Sequence, residues 1–252
     1  MKPFSPVCRP VSSDSDIWHE VFSCNDYQIP ELSSSDVVID VGAHIGAFTC
    51  ACLARGAQRV IAFEPDASSF LLAGQNIRDY LASHHFARCP VLHNAAVWRS
   101  DRQESLQITN ARFNSLIHAF HHAAQCTLFH DAHTMPVHSV GLDTVLQPLS
   151  EVALLKLDCE GAEWPIIFTS TQLYKVRRLV LEVHSLAWKA AESGREFSSS
   201  LFDEFGRYTV EDLKALLRKA GLTCTRERIN HNYLNNSAFY FGLLAFERTT
   251  DL

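Results

Sequence analysis

The segment from Val37 to Thr49, VVIDVGAHIGAFT, constrains the fold of this chain more than any other stretch. An apolar run leads to Asp40, and Gly42 and Gly46 then bracket a turn before a helical pattern. This arrangement is typical of a buried parallel strand that ends at a glycine loop, with a helix N-terminus behind it. Glycine suits a backbone with positive φ or one that a ligand approaches closely. The segment therefore predicts an α/β fold with a ligand near this loop.

A second apolar run, RVIAF, ends at Glu64, about 22 residues after Gly42. An acid at the tip of a second strand can accept hydrogen bonds from both hydroxyls of a ribose, which predicts a nucleoside-containing cofactor. The loop has His44 in its middle and lacks the G-x-G-x-x-G pattern of dinucleotide sites. The pattern D-x-G-x-x-x-G followed by E-P instead resembles the S-adenosylmethionine (SAM) site of class I methyltransferases.

The bulk composition excludes several classes of protein. A length of 252 residues fits one α/β domain with a full core. The net charge of −6 argues against a nucleic-acid-binding surface, which is usually basic. No apolar run approaches the ~20 residues that cross a bilayer, and the N-terminus lacks the apolar region of a secretory signal. The eight cysteines form no C-x-x-C pair. We therefore expect a cytoplasmic protein with reduced cysteines and neither a nucleic-acid nor a membrane partner.

Strand-like and helical patterns alternate along most of the chain. Residues 1–35 begin rich in Ser and Pro and then become more apolar, which predicts an N-terminal lead-in or lid segment before a main domain at 36–252. The alternation predicts a doubly wound, mostly parallel sheet. The predicted strands are 37–41, 59–63, 91–97, 103–109, 152–158, 179–183, 223–228 and 239–246, and the predicted helices are 48–55, 67–82, the residues after 165, and 210–220.

Several of these strands close on an acidic residue. Ligands of doubly wound sheets bind beyond the C-terminal ends of the strands. We therefore expect four carboxylates on one rim of the sheet, those of Asp40, Glu64, Asp158 and Glu182. Farther along, Thr209 and Asp212 have the spacing of a helix N-terminal capping box, with Asp in place of the usual Glu or Gln.

The block LLKLDCEGAE places four charged residues within eight positions, at the end of a buried strand. Burying charges is costly unless they are paired or face a cleft. Two interpretations are open. In one, Lys156 forms a structural salt bridge with Glu160 or Glu182. In the other, the cluster, which includes Asp158 and Glu163, faces a substrate.

The run LEVH ends the next strand with Glu182 and His184, two residues apart and hence on one side of the strand. His184 is a general-base candidate because the ordinary pKa of histidine lies near neutrality. A helix-capping or core role for His184 is an open alternative.

Taken in order, the segments VVIDVGAHIGAFT, IAFEP, HNAAV, GLDTVL, LLKLDCEGAEW, LVLEVH and VEDLKALLRKAGL resemble the FkbM family of SAM-dependent methyltransferases. The resemblance covers roughly residues 20–247, and the K-x-D-x-E-G-A-E block is its specific part. It implies a Rossmann-like, seven-stranded sheet of the class I methyltransferase type, with an antiparallel closing strand. It also implies SAM as the cofactor and O-methylation of natural products and sugars as the activity.

The resemblance also implies roles for individual residues. His44 departs from it, because the family more often has Asn there, but an imidazole can still donate to a carboxylate. The residues that match the acceptor end of the sheet are Glu160 and the catalytic candidates Asp158, Glu182 and His184. Trp18 and Tyr27 of the lead-in segment are further candidates for substrate contact. The residues that match the cofactor site are Asp40, Gly42, His44, Gly46, Glu64, Asn94 and Asp158.

A histidine-rich insertion occupies roughly residues 110–138 and has weak periodicity. Clustered histidines can bind zinc or copper. The alternative, which we favour, is a polar insertion that covers the acceptor pocket. The six histidines are His118, His121, His122, His130, His133 and His138.

We expect an enzyme that moves a methyl group from SAM to a hydroxyl of a small molecule, sugar or natural product. A variant adds a divalent metal held by Asp158 and Glu182, but the sequence shows no obvious third ligand, so we expect no metal. A nicotinamide oxidoreductase and a SAM-binding partner or scaffold protein without turnover are the competing hypotheses. The sequence leaves open whether the protein is a homodimer.

Overall fold

The computed structural model of the protein describes most of the chain. The described parts are residues 4–84, 89–104, 106–109, 125–126, 134–186, 204–231 and 240–249. The helices are α1 (Asp14–Trp18, followed by a π-helical turn at His19–Ser23), α2 (Ala47–Ala54), α3 (Ala67–His84), α4 (Leu142–Leu146), α5 (Glu163–Thr169), a 3₁₀ turn at Leu173–Lys175, and α6 (Val210–Lys219). The strands are β1 (Val37–Val41), β2 (Arg59–Phe63), β3 (Val91–His93), β4 (Ala96–Trp98), β5 (Leu106–Thr109), β6 (Gln125–Cys126), β7 (Thr134–Val137), β8 (Ser139–Gly141), β9 (Val152–Leu157), β10 (Val176–His184), β11 (Leu222–His231) and β12 (Tyr240–Arg248).

The main sheet has seven strands in the order β11-β12-β10-β9-β1-β2-β3. Strands β10, β9, β1, β2 and β3 are parallel to one another, whereas β12 runs antiparallel to both β10 and β11. The predicted doubly wound, mostly parallel sheet with one antiparallel closing strand is therefore confirmed. The C-terminal ends of the parallel strands form a common edge, and the candidate site lies at this edge.

Alternate residues of the central strands contribute side chains to two cores, one on each face of the sheet. Val38 and Leu154 belong to a core that includes residues of α2, α3 and the N-terminal segment. Ile39 and Leu155, paired in the parallel register, belong to the larger core that includes residues of α5 and α6. Every residue of β1 and β9 is buried. With both faces covered, these strands are rigid supports for the residues at their ends.

The capping box predicted at the start of α6 is present. The Thr209 hydroxyl accepts a hydrogen bond from the Asp212 backbone N–H, and the Asp212 carboxylate accepts one from the Thr209 backbone N–H. Gly221, with φ +83°, follows the helix and supplies the left-handed residue that ends many helices.

The predicted third strand at 91–97 was wrong as one element. Val91–His93 pairs with β2 in the main sheet, whereas Ala96–Trp98 leaves that sheet and pairs in parallel with β8. The chain turns at Asn94, whose side-chain amide donates to the backbone carbonyls of Glu64 and Pro65 at 2.9 and 3.0 Å. Two short apolar runs with one non-strand turn between them look like one strand in the sequence.

The N-terminal segment packs on the body of the domain through aromatic rings. Trp18 stacks on Phe22 with ring centroids 5.5 Å apart, and Phe4 contacts the rings of both Trp18 and Tyr80. Burial of such rings contributes about 1.5–3 kcal/mol each. The N-terminal segment is therefore packed against α3.

Most of the histidine-rich insertion lies outside the described residues, and so do the predicted roles of His118, His121, His122, His130 and His133. His138 is described and exposed, and its backbone carbonyl accepts a hydrogen bond from the Ala96 N–H at 2.8 Å. Within the described parts of the chain, no helix has the length and apolar character needed to span a bilayer.

Candidate active site

A cavity of about 480 Å³ opens at the C-terminal edge of the parallel strands. One wall comes from the strand ends and their loops, a second from the N-terminal segment, and a third from β11 and β12. Of the predicted site residues, those that line the cavity are Tyr27, Gly42, His44, Glu64, Asp158, Glu160, Glu182 and His184.

The glycine loop turns sharply between β1 and α2. The backbone N–H groups of Gly42 and Ala43 both donate to the Phe63 carbonyl at 3.0 Å. Gly42 has φ +79°, and a Cβ on this residue would lie 1.9 Å from the backbone oxygen of Asp158. Gly46 has φ +89° and precedes α2. Glycine is thus required at position 42 both by its φ and by the close approach of the Asp158 chain.

Glu64 lies at the end of β2, where the sequence places it, and it is almost fully buried. Its two carboxylate oxygens accept hydrogen bonds at 2.8 Å from the backbone N–H groups of His44 and Asp66. Burial raises the pKa of Glu64 to about 7, against the lowering effect of these two hydrogen bonds. Asn94 holds the turn after Glu64 and does not line the cavity. In this structure Asn94 supports the backbone at Glu64, and its contact with the cofactor stays a prediction.

His44 has φ +50° and lines the cavity beside Glu64. Its Nε2 lies 2.6 Å from a guanidinium nitrogen of Arg9. Arg9 can only donate, so Nε2 accepts and the ring proton belongs on Nδ1. Burial and the charge of Arg9 lower the pKa of His44 to about 4, so the ring is neutral. The buried Nδ1 has no hydrogen-bond partner among the described residues.

Arg9 is fixed by the N-terminal segment and α3. It forms an ion pair with the buried Asp14 at 2.8 Å and donates to the Ser69 hydroxyl at 3.1 Å. No pattern in the sequence links Arg9 and Asp14 to the glycine loop, because they precede it by about 30 residues and belong to no motif. A basic and an acidic residue before the first strand are too common to be informative.

The pocket's residues fit SAM. Glu64 offers carboxylate oxygens at the position where this fold holds a ribose. The orphaned Nδ1–H of His44 offers a donor for the carboxylate of the methionine portion, and buried donors without a partner are rare. These two groups lie on adjacent sides of one loop, because the His44 backbone N–H donates to Glu64.

Asp40 does not line the cavity, contrary to its predicted place in the cofactor site. It is fully buried beneath the loop, where it accepts a hydrogen bond from the Thr49 hydroxyl at 2.7 Å. The Lys156 ammonium lies 3.4 Å from Asp40 and donates to the Gly42 carbonyl at 2.5 Å. Asp40 therefore acts on the loop through Lys156.

Lys156 forms a salt bridge, as in one of the two interpretations of the charged block, but with other partners. Among the described residues its ionic partners are Asp40 and Asp158, the second at 3.6 Å, rather than Glu160 or Glu182. Its side chain is buried. One cation thus links strand β1, the glycine loop and the end of β9.

Asp158 faces the cavity just after β9. Its carboxylate accepts a hydrogen bond from the Tyr27 hydroxyl at 2.8 Å, which joins the N-terminal segment to the sheet edge. Burial and the charge of Asp158 raise the pKa of Tyr27 well above its ordinary value, so the phenol stays protonated. Trp18, the other predicted substrate contact, is buried in the aromatic cluster and does not line the cavity. We no longer expect Trp18 to touch the acceptor.

His184 ends β10 with its side chain buried at the base of the cavity. Ligand atoms of Asp158, Glu182 and His184 all lie within 4.8 Å of one another. Nε2 of His184 lies 3.9 Å from Glu182 and 3.8 Å from Glu160. Burial and the neighbouring charge of Asp158 raise the pKa of Glu182 to about 7. The structure therefore brings together the three residues that the sequence assigned to catalysis.

Glu163 lies behind His184 and was predicted only as part of a charged cluster. It is fully buried and accepts hydrogen bonds from the backbone N–H groups of Cys159 and Gly161 at 2.7 and 2.9 Å. Its Oε1 lies 3.4 Å from Nδ1 of His184. A carboxylate in this position favours the tautomer with the proton on Nδ1, which leaves the Nε2 lone pair toward the cavity.

The outer part of the cavity is acidic. Asp16, Glu20 and Asp26 line it from the N-terminal segment, and Arg228 lines it from β11. Burial and the charges of Asp26 and Asp16 raise the pKa of Glu20. An environment of this kind attracts cations and repels polyanions.

A family model described as the methyltransferase FkbM domain matches residues 40–221. Among solved structures, the methyltransferase FkbM of Methylobacillus flagellatus KT is similar at 15% identity, over 86% of this chain and 45% of that chain, with a TM-score of 0.46. Magnesium protoporphyrin IX methyltransferase (ChlM) of Synechocystis PCC 6803, with bound S-adenosylhomocysteine, is similar at 13% identity, over 93% and 81% of the chains, with a TM-score of 0.44. TrmK of M. capricolum, in complex with the same cofactor product, is similar at 9% identity, over 90% and 68%, with a TM-score of 0.47. A search of curated protein sequences gave no match.

The family match covers more than half of the chain and includes the glycine loop, Glu64 and the end of β10. It agrees with the sheet order and with the groups that fit SAM. The chain belongs to the FkbM family of SAM-dependent methyltransferases.

Proposed function

We propose that the protein methylates a hydroxyl oxygen of a small molecule, sugar or natural product. The observation that carries the proposal is the convergence of Asp158, Glu182 and His184 within 4.8 Å at the base of the cavity. A hydroxyl is a poor nucleophile until its proton is removed or its pKa is lowered. Basic side chains clustered in a cavity are suited to that task.

Bound SAM supplies an already activated methyl group. What the chain must add is the alignment of the acceptor and the removal of the hydroxyl proton. Glu64 and His44 hold the cofactor at the glycine loop, and Asp158, Glu182 and His184 act on the acceptor hydroxyl. Because β9 and β10 are adjacent parallel strands in a buried sheet, the side chains that act on the acceptor are held in fixed positions.

The acidic lining supports a small acceptor that is neutral or cationic. A nucleic acid brings a phosphate at every nucleotide, and its binding requires a basic face. Within the described lining, the only Arg or Lys is Arg228. The N-terminal segment forms the outer wall of the cavity through Tyr27 and its acidic residues, so we assign it the role of a lid that shapes the acceptor site.

The test is methyl transfer from SAM carrying a labelled methyl group. We expect label in the small-molecule fraction of a metabolite extract and none in purified RNA, DNA or protein. Mass spectrometry of the labelled product should locate the methyl on oxygen. Label on nitrogen, or label in RNA alone, would refute the proposal.

A pair of histidine variants tests the assigned cluster. His184→Ala should lower kcat by about 10²–10⁴ while SAM affinity, measured by calorimetry, stays within about threefold. His84→Ala, at the C-terminal end of α3 and outside the cavity, is the matched control and should leave both quantities unchanged. If the two variants have equal activity, the cluster does not act on the acceptor.

A further inference from the structure

We propose that Asp158, Glu182 and His184 bind a divalent cation in the cavity. The sequence offered two carboxylates without a third ligand, and the structure supplies it. The ligand atoms of the three residues lie within 4.8 Å of one another. With bonds of about 2.0–2.2 Å, ligand atoms lie about 3 Å apart when adjacent around a metal and about 4 Å apart when opposite, so the three side chains must rotate toward one another to close on an ion.

A second arrangement, behind the ligands, supports a metal site. Metal-binding histidines usually donate their other ring N–H to a carboxylate, which fixes the tautomer and the ring orientation. Glu163 lies 3.4 Å from Nδ1 of His184, and its own position is fixed by the backbone N–H groups of Cys159 and Gly161. The Nε2 lone pair is thereby directed to the side where Glu182 and Glu160 lie.

The donor set indicates the class of metal. Two carboxylates favour Mg²⁺ or Mn²⁺, and an imidazole favours first-row transition metals. A mixed set of this kind suits Mn²⁺ or a similar divalent ion. The acidic residues at the mouth of the cavity, Asp16, Glu20 and Asp26, raise the local concentration of any cation.

The role of this cation in the reaction rests on the proposed function. A cation at this position binds the acceptor hydroxyl and lowers its pKa, which is a recognised task of metal ions in enzymes. The hydroxyl proton passes to the carboxylate of Glu160, which lines the cavity beside the ligand set.

The first test measures the binding of Mn²⁺ to the chelator-treated full chain by calorimetry and by electron paramagnetic resonance. We expect one Mn²⁺ site, and we expect Asp158→Asn and Glu182→Gln each to lower the affinity for Mn²⁺ at least tenfold. His184→Ala should weaken it equally. Because His184 is buried, thermal melting must first show that this variant folds, and the two near-isosteric carboxylate variants carry the test if it does not.

Glu20→Gln is the matched control for diffuse attraction. Like Glu182→Gln, it removes one negative charge, but from the outer part of the cavity. It should lower the affinity for Mn²⁺ less than threefold. The inference fails if the wild-type chain shows no Mn²⁺ binding at millimolar concentration. It also fails if Glu20→Gln weakens binding as much as Glu182→Gln does.

Methyl transfer separates this inference from the proposed function. If transfer to a hydroxyl persists after exhaustive chelation and Mn²⁺ does not bind, the metal site is refuted and the function stands. If Mn²⁺ binds at the three residues but no hydroxyl acceptor is methylated, the site stands and the proposed function fails.

Discussion

Lys156 gives the sharpest prediction about stability. Its ammonium is buried, lies 3.4 Å from Asp40 and donates to the carbonyls of Val41 and Gly42. Lys156→Met keeps most of the side-chain volume but leaves the fully buried Asp40 carboxylate without its cation. Removing one partner of a buried ion pair costs about 3–5 kcal/mol, because the remaining charge stays desolvated.

A loss of this size corresponds to a fall in Tm of roughly 6–20 °C, since 1 kcal/mol shifts Tm by about 2–4 °C in domains of about 150–250 residues. Urea unfolding followed by tryptophan fluorescence gives the free energy of unfolding directly. The double variant Lys156→Met/Asp40→Asn should recover about 1 kcal/mol or more, because it removes the orphaned charge while Asn can still accept from Thr49.

The matched control is Lys214→Met on α6. Lys214 pairs with Glu211 and Glu227, and both of these carboxylates are exposed. The loss of an exposed pair costs about 1 kcal/mol or less. The reasoning is refuted if Lys156→Met is no more destabilising than Lys214→Met, or if adding Asp40→Asn makes the double variant less stable still.

Two further predictions concern the cofactor end of the cavity. The pKa of Glu64 is raised from 4.5 to about 7 in the folded chain. Between these two pH values the folded chain without SAM keeps a proton that the unfolded chain has lost. The free energy of unfolding should therefore fall as the pH rises from about 4.5 to 7. SAM binding needs the ionised carboxylate, so calorimetry should show that the affinity for SAM rises with pH up to about 7. Glu64→Gln should remove that rise, and an unchanged pH profile in this variant would exclude Glu64 from the site. Gly42→Ala should cost about 1–3 kcal/mol or more in urea unfolding, because its Cβ would lie 1.9 Å from the Asp158 carbonyl oxygen at φ +79°. Gly74→Ala, within α3 and without positive φ, should instead be neutral or stabilising, and equal effects of the two alanines would contradict the steric argument.

The sequence predicted well what short-range patterns encode. The strand at Val37–Val41 and its glycine loop follow from local apolar runs and glycines, and the capping box at Thr209 follows from a three-residue spacing. Glu182 and His184 were placed on one side of β10 by the two-residue period of a strand. Each of these relations is set within a few residues.

The sequence failed where partners are far apart in the chain. One of the two interpretations of the charged block paired Lys156 with Glu160 or Glu182. Its partner Asp40 was missed because it is 116 positions away and reaches Lys156 only through the parallel register of β1 and β9. The support of His44 by Arg9 and Asp14 was missed for the same reason. Trp18 was assigned to substrate contact, but an aromatic residue that packs on the core has the same sequence pattern as one that faces a ligand.

The cavity has walls of two origins, and this has a consequence for assigning acceptors. The family model begins at residue 40 and ends at 221, whereas the walls formed by residues 13–27 and 228–243 lie outside that range. Membership of the family thus informs the part of the cavity lined by the glycine loop, Glu64 and the proposed catalytic cluster. The walls that we propose for the acceptor side are built from the flanking chain, so we expect members with the same catalytic residues to differ in the molecule they modify. We therefore expect that exchanging the first 35 residues between members changes the acceptor and leaves the matched part of the cavity in place.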